Sequence, residues 1–240
     1  LYLEKAQYDI SNERINSLED QIKLIRHKYF QAKTRAEKLN YQREDRRLRS
    51  LLAKELESIG FSIESSRKIA DFDLYDQNTS ADFFDAEWML GVTSGFDILI
   101  GNPPHGADMS GYIDKIVSIY NSYDSRKNSA SFFMNLGERL SKPAGIIAYI
   151  IPKSLTFVDG WREPRRFVLD KNNLLVIIDI SKSFENVLLE QVVAIYKNLV
   201  GKSDYTFRAG SGWHKSIELK GLVRKTLAEE LDIIPCHLDN

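Results

Sequence analysis

Four short apolar runs in the second half of the chain constrain its fold most strongly. In chain order they are FDILIG (96–101), GIIAYIIP (145–152), LLVIIDI (174–180) and QVVAIYKN (191–198). The last three are nearly unbroken, which is typical of strands covered on both faces in a mostly parallel sheet. Helical patterns lie between them, at about 111–122, 130–141 and 161–170. The sequence therefore predicts an α/β sheet, and the short link before the last run favours an antiparallel final strand.

The first 60 residues predict a long helical hairpin. Residues 12–59 contain neither glycine nor proline, and apolar side chains recur there at helical spacing. Thr34 followed by Glu37 matches a capping box, so we expect a second helix to start there and to stop at Gly60. The turn of the hairpin then falls near residues 30–34.

Charge is distributed unevenly along this part of the chain. Residues 21–54 hold eleven Lys or Arg and three acids, an excess of 11 − 3 = 8. One interpretation is a solvated helix face; the other is an arm near nucleic-acid phosphate, because surfaces that serve solubility alone usually mix both signs. Residues 71–90 reverse the sign with six acids and no Lys or Arg, so residues 61–95 are predicted as an acidic, aromatic connector.

Composition excludes several classes of protein. The chain of 240 residues is 43% hydrophobic and 28% charged, which is ordinary for a globular protein. A single cysteine, Cys236, excludes a disulfide framework and a multi-thiolate zinc site. The apolar runs are too short to span a bilayer, and the N-terminus has no signal-peptide pattern. We therefore expect no metal, no membrane contact and a cytoplasmic location.

The first apolar run ends in Asn102-Pro103-Pro104-His105. Two prolines fix two φ angles and donate no N–H, and the residue before a proline is kept out of the α region. In α/β sheets, ligands bind beyond the carboxyl ends of the strands. A stiff loop there presents the Asn102 side chain and the Pro103 carbonyl as two acceptors, which suit an exocyclic amine on a planar base. An ordinary turn is the alternative reading.

The stretch FDILIGNPPH resembles the N-P-P-Y/F motif of amino-methyltransferases, in particular the DNA adenine-N6 methyltransferases. Three other stretches resemble, in the same order, the middle region of large single-chain type II restriction-modification proteins. They are YFQAKTRAEKLNYQRE, FDLYDQNTSADFFDAEWML and SASFFMNLGERLSKPAGIIAYIIPKSL. The resemblance covers about residues 20–200, and the ordered set is more specific than the motif alone.

This resemblance implies a bacterial enzyme that transfers a methyl group from S-adenosylmethionine to adenine N6 in double-stranded DNA. The adenine must leave the duplex to reach the site. Asn102 and the Pro103 carbonyl would bind N6, Pro104 would keep the loop rigid, and His105 would stack on the base. Residues 96–200 would be the catalytic half of a Rossmann-like methyltransferase sheet.

The chain departs from the family pattern at two points. His105 replaces the family's Tyr or Phe, and imidazole offers less stacking area and can carry charge. The Gly-rich cofactor motif expected before N-P-P is missing from residues 1–95. The only other candidate, Gly210 and Gly212 in FRAGSGWHKS, is rejected because YTF predicts a poor strand and WHKSIELK a poor helix start.

The missing motif leaves the cofactor-binding residues unknown. We therefore expect the chain to be a fragment whose cofactor half-sheet lies upstream of residue 1. Residues 201–240 stay unassigned, as the possible start of a recognition domain that continues downstream.

Four basic residues after the second apolar run are predicted to contact the DNA backbone: Lys153, Arg162, Arg165 and Arg166. An ordinary basic surface is the alternative for each. Two further functions remain open at this point. One is an N-P-P methyltransferase that acts on RNA or on protein glutamine. The other is a degenerate methyltransferase-like module that binds DNA or a partner without catalysis.

Overall fold

The computed structural model describes residues 13–76, 78, 86–106, 129–181, 189–199, 204–212 and 216–236. The chain divides into two compact units, Leu1–Thr93 and Ser94–Asn240. The first is helical in its described part and the second contains the sheet, so the protein belongs to the α/β class. Among the described helices, none is long and apolar enough to cross a membrane.

The helices of the first unit are α1 (Glu13–Gln31), α2 (Arg35–Ser58), α3 (Ile63–Asp71) and α4 (Ala86–Leu90). The predicted hairpin is confirmed, as is the capping box: the Thr34 hydroxyl accepts a hydrogen bond from the Glu37 backbone N–H at 3.2 Å. Helix α3 packs on α2, and both contribute to one apolar core. The stretch after the hairpin is therefore part of the helical unit in its described residues.

An ionic triad lies inside this unit. The Asp45 carboxylate accepts from Arg26 Nε at 2.9 Å and from Arg49 Nε at 2.8 Å. All three side chains are almost completely buried. The surplus positive charge faces backbone carbonyls, because Arg26 also donates to Met89 O and Arg49 to Ala70 O. Two of the eleven basic residues counted in the sequence thus hold the hairpin together.

The second unit contains a six-stranded sheet in the order β1-β2-β4-β3-β5-β6. Its strands are β1 (Phe96–Gly101), β2 (Ser141–Pro152), β3 (Asn173–Ser181), β4 (Gln191–Lys197), β5 (Thr206–Ser211) and β6 (Glu218–Arg224). β1 pairs parallel with β2, and β3 pairs parallel with β5. β4 lies antiparallel between β2 and β3, which confirms the expectation for the fourth apolar run.

Helices cover one face of this sheet. They are α5 (Ser129–Leu140), α6 (Arg162–Arg166) with the π-helical turn Phe167–Lys171, and α7 (Lys225–Leu231). The core combines alternate strand residues such as Ile147 and Ile151 with helix residues such as Met134 and Phe167. The helix predicted at 111–122 lies outside the described residues.

The end of the chain continues the sheet. Strand β5 includes Thr206 and Phe207, so the judgement that YTF predicts a poor strand was wrong. Arg208 and Gly210 interrupt the apolar pattern of this strand in the sequence, although Phe207 and Ala209, which alternate with them, are buried. Within the described residues, the segment left unassigned between 201 and 240 adds strands β5 and β6 to the same sheet.

Candidate active site at the carboxyl end of β1

The N-P-P turn follows β1 directly, at the carboxyl edge shared by the parallel strands β1 and β2. Asn102 and Pro104 are exposed, whereas Pro103 is buried. Among the described residues, neither the Asn102 side-chain amide nor the Pro103 carbonyl has a hydrogen-bond partner. In the described part of the chain these two acceptors are therefore unpaired, on a turn whose φ angles the proline rings restrict.

The start of the turn is fixed by an aromatic ring. Gly101 pairs with Tyr149 of β2, and a Cβ added at Gly101 would come 3.1 Å from Tyr149 Cε1. On its other side the same ring meets Gly137 of α5, where a Cβ would come 2.7 Å from the hydroxyl oxygen. Tyr149 is 8% exposed, and burial raises the pKa of its hydroxyl. Two glycines thus make room for one ring directly before Asn102.

The end of the turn is tied to α5. The hydroxyl of Ser129, the first residue of that helix, donates to Pro104 O at 2.6 Å. Ser129 is fully buried, whereas Pro104 is exposed. Sequence reasoning missed Ser129, Gly137 and Tyr149. A glycine at the end of an apolar strand and another inside a predicted helix were the only signals available.

His105 is half-buried beside the turn. Both ring nitrogens are shielded from solvent and have no hydrogen-bond partner in the described part of the chain. Burial lowers the pKa of the imidazole below its usual value, so the ring is neutral at pH 7. A neutral flat ring is the form that suits stacking on a base.

Lys153 follows the end of β2 at the same edge of the sheet. Its ammonium group lies 2.8 Å from Asp179 at the end of β3 and 2.9 Å from Glu190 before β4. Burial lowers the pKa of Lys153, but the hydrogen bonds to the two carboxylates outweigh it and the net shift is upward. The structure places Lys153 near the predicted edge and gives it internal partners; a phosphate contact stays a prediction.

The three predicted arginines line one cleft with Asp170, Glu229 and Asp232. Arg162 pairs with Asp232 at 2.6 Å, and the Arg166 side chain is 61% exposed. The Arg165 side chain is 1% exposed and donates to the carbonyls of Leu155 and Val158. Arg165 therefore stabilises the segment between β2 and α6. Of the three arginines, only Arg162 and Arg166 are exposed to solvent.

The glycine pair considered for a cofactor has a structural explanation. Gly210 and Gly212 lie where β5 meets β6, and a Cβ at either position would collide with backbone atoms of Glu218 or Ser216. Gly212 also has a φ of +123°, which L side chains rarely adopt. The pair joins two antiparallel strands instead of a strand and a helix, so it does not form a nucleotide-binding loop. The described residues also contain no cluster of three His, Cys, Asp or Glu that could hold a metal.

A family model described as Eco57I restriction-modification methylase matches residues 1–185 of the chain. The chain belongs to this family. The match includes both the helical hairpin and the N-P-P turn. No curated protein matches this member of the methylase family.

Several solved structures resemble this family member over part of its length. A protein described as the modification subunit of a type I restriction enzyme from Vibrio vulnificus YJ016 is 18% identical, with a TM-score of 0.40 over 51% of this chain and 27% of that one. The EcoKI M protein of a type I restriction enzyme is 17% identical, with a TM-score of 0.37 over 51% and 28%. A protein from Listeria monocytogenes described as a class I S-adenosylmethionine-dependent methyltransferase is 12% identical, with a TM-score of 0.38 over 80% and 62%. The chain thus spans just over a quarter of the first two proteins.

Proposed function

We propose that this protein methylates adenine N6 in double-stranded DNA, as the modification activity of a restriction-modification system. The observation that carries the proposal is the pair of free acceptors, the Asn102 amide oxygen and the Pro103 carbonyl, on a turn anchored at both ends. Family membership supports the reaction class. The two acceptors suit a planar group with two N–H hydrogens, and the resemblance of the motif to that of adenine-N6 methyltransferases favours adenine among such groups.

In the proposed complex the adenine leaves the duplex and its amino group enters the turn. Asn102 and the Pro103 carbonyl each accept one N–H, which leaves the nitrogen lone pair directed away from both. The same two dipoles stabilise the positive charge that develops on N6 as it reacts. His105 stacks on the base in its neutral form. Catalysis then depends mainly on holding the amino group in one orientation.

S-adenosylmethionine would supply the methyl group when bound. The described residues contain no glycine loop between a strand and a helix, so they do not provide its main binding site. Strand β1 is the sheet edge, with Ile98 60% and Ile100 81% exposed. We propose that the cofactor binds beside this exposed edge of the sheet, next to the N-P-P turn.

The test is transfer of a radiolabelled methyl group by the full-length protein to duplex DNA, RNA and protein, offered side by side. We expect N6-methyladenine in DNA and a loss of about 100-fold or more in Asn102→Ala, which is typical when one such hydrogen-bond partner is removed. Asn16→Ala is the matched control, because Asn16 is exposed on α1 in the other unit. Label in RNA or protein alone, or equal activity of the two variants, would contradict the proposal.

A further inference from the structure

The basic residues of the hairpin fall into two sets. Five of the eleven Lys and Arg between residues 21 and 54 have carboxylate partners: Lys23, Arg26, Arg46, Arg47 and Arg49. The other 11 − 5 = 6 have no carboxylate partner within the described part of the chain: Lys28, Lys33, Arg35, Lys38, Arg43 and Lys54. In the described part of the chain, the charge of these six residues is therefore not balanced by a neighbouring carboxylate.

Five of these six residues lie within residues 28–43, which we call the hairpin tip. All five are exposed. The one acid of the tip, Glu37, is occupied by the backbone N–H and hydroxyl of Thr34 at 3.1 and 2.8 Å. These hydrogen bonds also lower the pKa of Glu37, so it stays ionised but points at its own helix end. The tip carries a formal charge of 5 − 1 = +4.

Aromatic side chains accompany the charge. Phe30 is 63% exposed at the end of α1, and its ring is held edge-on to Tyr29 with 5.3 Å between the centroids. The ammonium group of Lys38 lies 5.6 Å from the centroid of the Tyr29 ring. Exposed rings beside cations are a combination with which proteins hold single-stranded nucleic acid.

The spacing of the charges also fits a phosphate backbone. Arg35 and Arg43 are eight residues apart on α2, so they share one face of the helix and lie about 12 Å apart along its axis. A DNA strand carries one charge per roughly 3.4 Å of duplex axis. A helix laid along the backbone can therefore bring successive basic residues to separate phosphates of one strand.

We propose that the hairpin tip binds the phosphate backbone of duplex DNA without regard to sequence, with Phe30 in apolar contact beside it. The inference rests on the proposed function for the identity of the partner, since it assumes a DNA substrate. It adds a second surface, in the other compact unit, that holds the duplex while the N-P-P turn receives the base. A face that served solubility alone would mix both signs, and this tip does not.

The experiment measures binding of the full-length protein to a duplex of arbitrary sequence at several salt concentrations, without cofactor. The tip variant is Arg35→Gln with Arg43→Gln. The control is Lys54→Gln with Arg67→Gln, which removes the same charge from exposed positions outside the tip. Each lost phosphate contact reduces the salt slope by about 0.9, so we expect a slope shallower by about 2 in the tip variant and an unchanged slope in the control.

Phe30→Ala gives an independent measurement. We expect affinity to fall with the salt slope unchanged, because the ring makes an apolar contact and no ionic one. Equal shifts in the tip and control variants, or no shift in either, would overturn the inference. The salt slope could become shallower only in the tip variant while the protein methylates no DNA. That result would contradict the proposed function and would still support DNA binding by the hairpin tip.

Discussion

The ring of Tyr149 lies against the backbone of Gly101, the last residue of β1, and a Cβ on that glycine would come 3.1 Å from the ring. Gly137 of α5 lies against the same ring, since a Cβ added there would come 2.7 Å from the Tyr149 hydroxyl oxygen. Asn102 follows Gly101 in the chain. The position of the proposed catalytic amide is therefore set by the packing of an aromatic side chain from the neighbouring strand.

Gly101→Ala should lower methyl transfer far more than it lowers stability. The added methyl group pushes either the ring or the strand end by a few tenths of an ångström, and misplacement of reacting groups on the ångström scale can cost about 100-fold in rate. We expect a loss of at least about 10-fold in kcat, with a small change in thermal unfolding. The double variant Gly101→Ala with Tyr149→Leu should recover part of the rate because the ring is gone. Equal loss in both variants would contradict this explanation.

Ser129→Ala tests the other anchor of the turn. The substitution removes the hydrogen bond that ties the Pro104 carbonyl to α5, and such a bond contributes about 0.5–1.5 kcal/mol to the free energy of unfolding. We expect kcat to fall by about 5-fold or more with little change in KM for DNA, because binding along the duplex does not involve this bond. Ser50→Ala is the control, since its hydroxyl also donates to a backbone carbonyl but in the other unit. A rise in KM with kcat unchanged would argue against a positioning effect.

Protonation of His105 should lower the rate of methyl transfer at acidic pH. Burial lowers its pKa, so between its unfolded and folded pKa values the unfolded chain binds the proton and the native state does not. The stability from the neutral ring is present above about pH 6.5 and falls as the pH drops through the lower folded pKa. We expect kcat/KM to decline as the pH falls through this lowered folded pKa, measured as a pH profile. His105→Tyr should lose this decline and work several-fold faster at pH 7; an unchanged profile would contradict stacking by residue 105.

Much of the architecture follows from local patterns. The hairpin, its capping box and four of the strands depend on spacing within about ten residues, and the sequence predicts them correctly. The N-P-P turn is equally local. What the pattern could not supply is contact between distant residues: Tyr149 lies 48 positions after Gly101, and only the register of β1 and β2 brings them together.

Charge was the least reliable guide for the same reason. Arg26 and Arg49 were counted as surface charge, yet both bind Asp45 inside the unit. A sequence cannot show which face of a helix its partner covers when both faces carry arginine. The sequence did not predict the fifth strand because Gly210 and the exposed Arg208 interrupt its apolar pattern. Gly210 is required there because a Cβ would collide with the backbone of β6.

Asp45→Asn should destabilise the helical unit strongly. Removing the shared carboxylate leaves two buried guanidinium groups without their counter-charge, and breaking such a pair costs about 3–5 kcal/mol of unfolding free energy. The adjacent Glu44→Gln is a matched control, because Glu44 pairs with Arg47 at the surface at 2.7 Å. An exposed pair contributes about 0–1 kcal/mol. Denaturant unfolding of both variants checks the contrast, and similar midpoints would show that the triad does not stabilise the unit.

Arg165 and Arg166 are neighbours in sequence with opposite surroundings, and their variants should separate folding from DNA contact. The Arg165 side chain is 1% exposed and donates to two carbonyls, so Arg165→Gln leaves those acceptors unpaired and should lower thermal stability. The Arg166 side chain is 61% exposed, and its nearest carboxylate is 3.8 Å away. Arg166→Gln should leave stability unchanged and reduce the salt slope of DNA binding by about 0.9. If Arg166→Gln binds DNA with the wild-type slope, the backbone contact assigned to this residue is wrong, and the cleft serves only to pack α6 against α7.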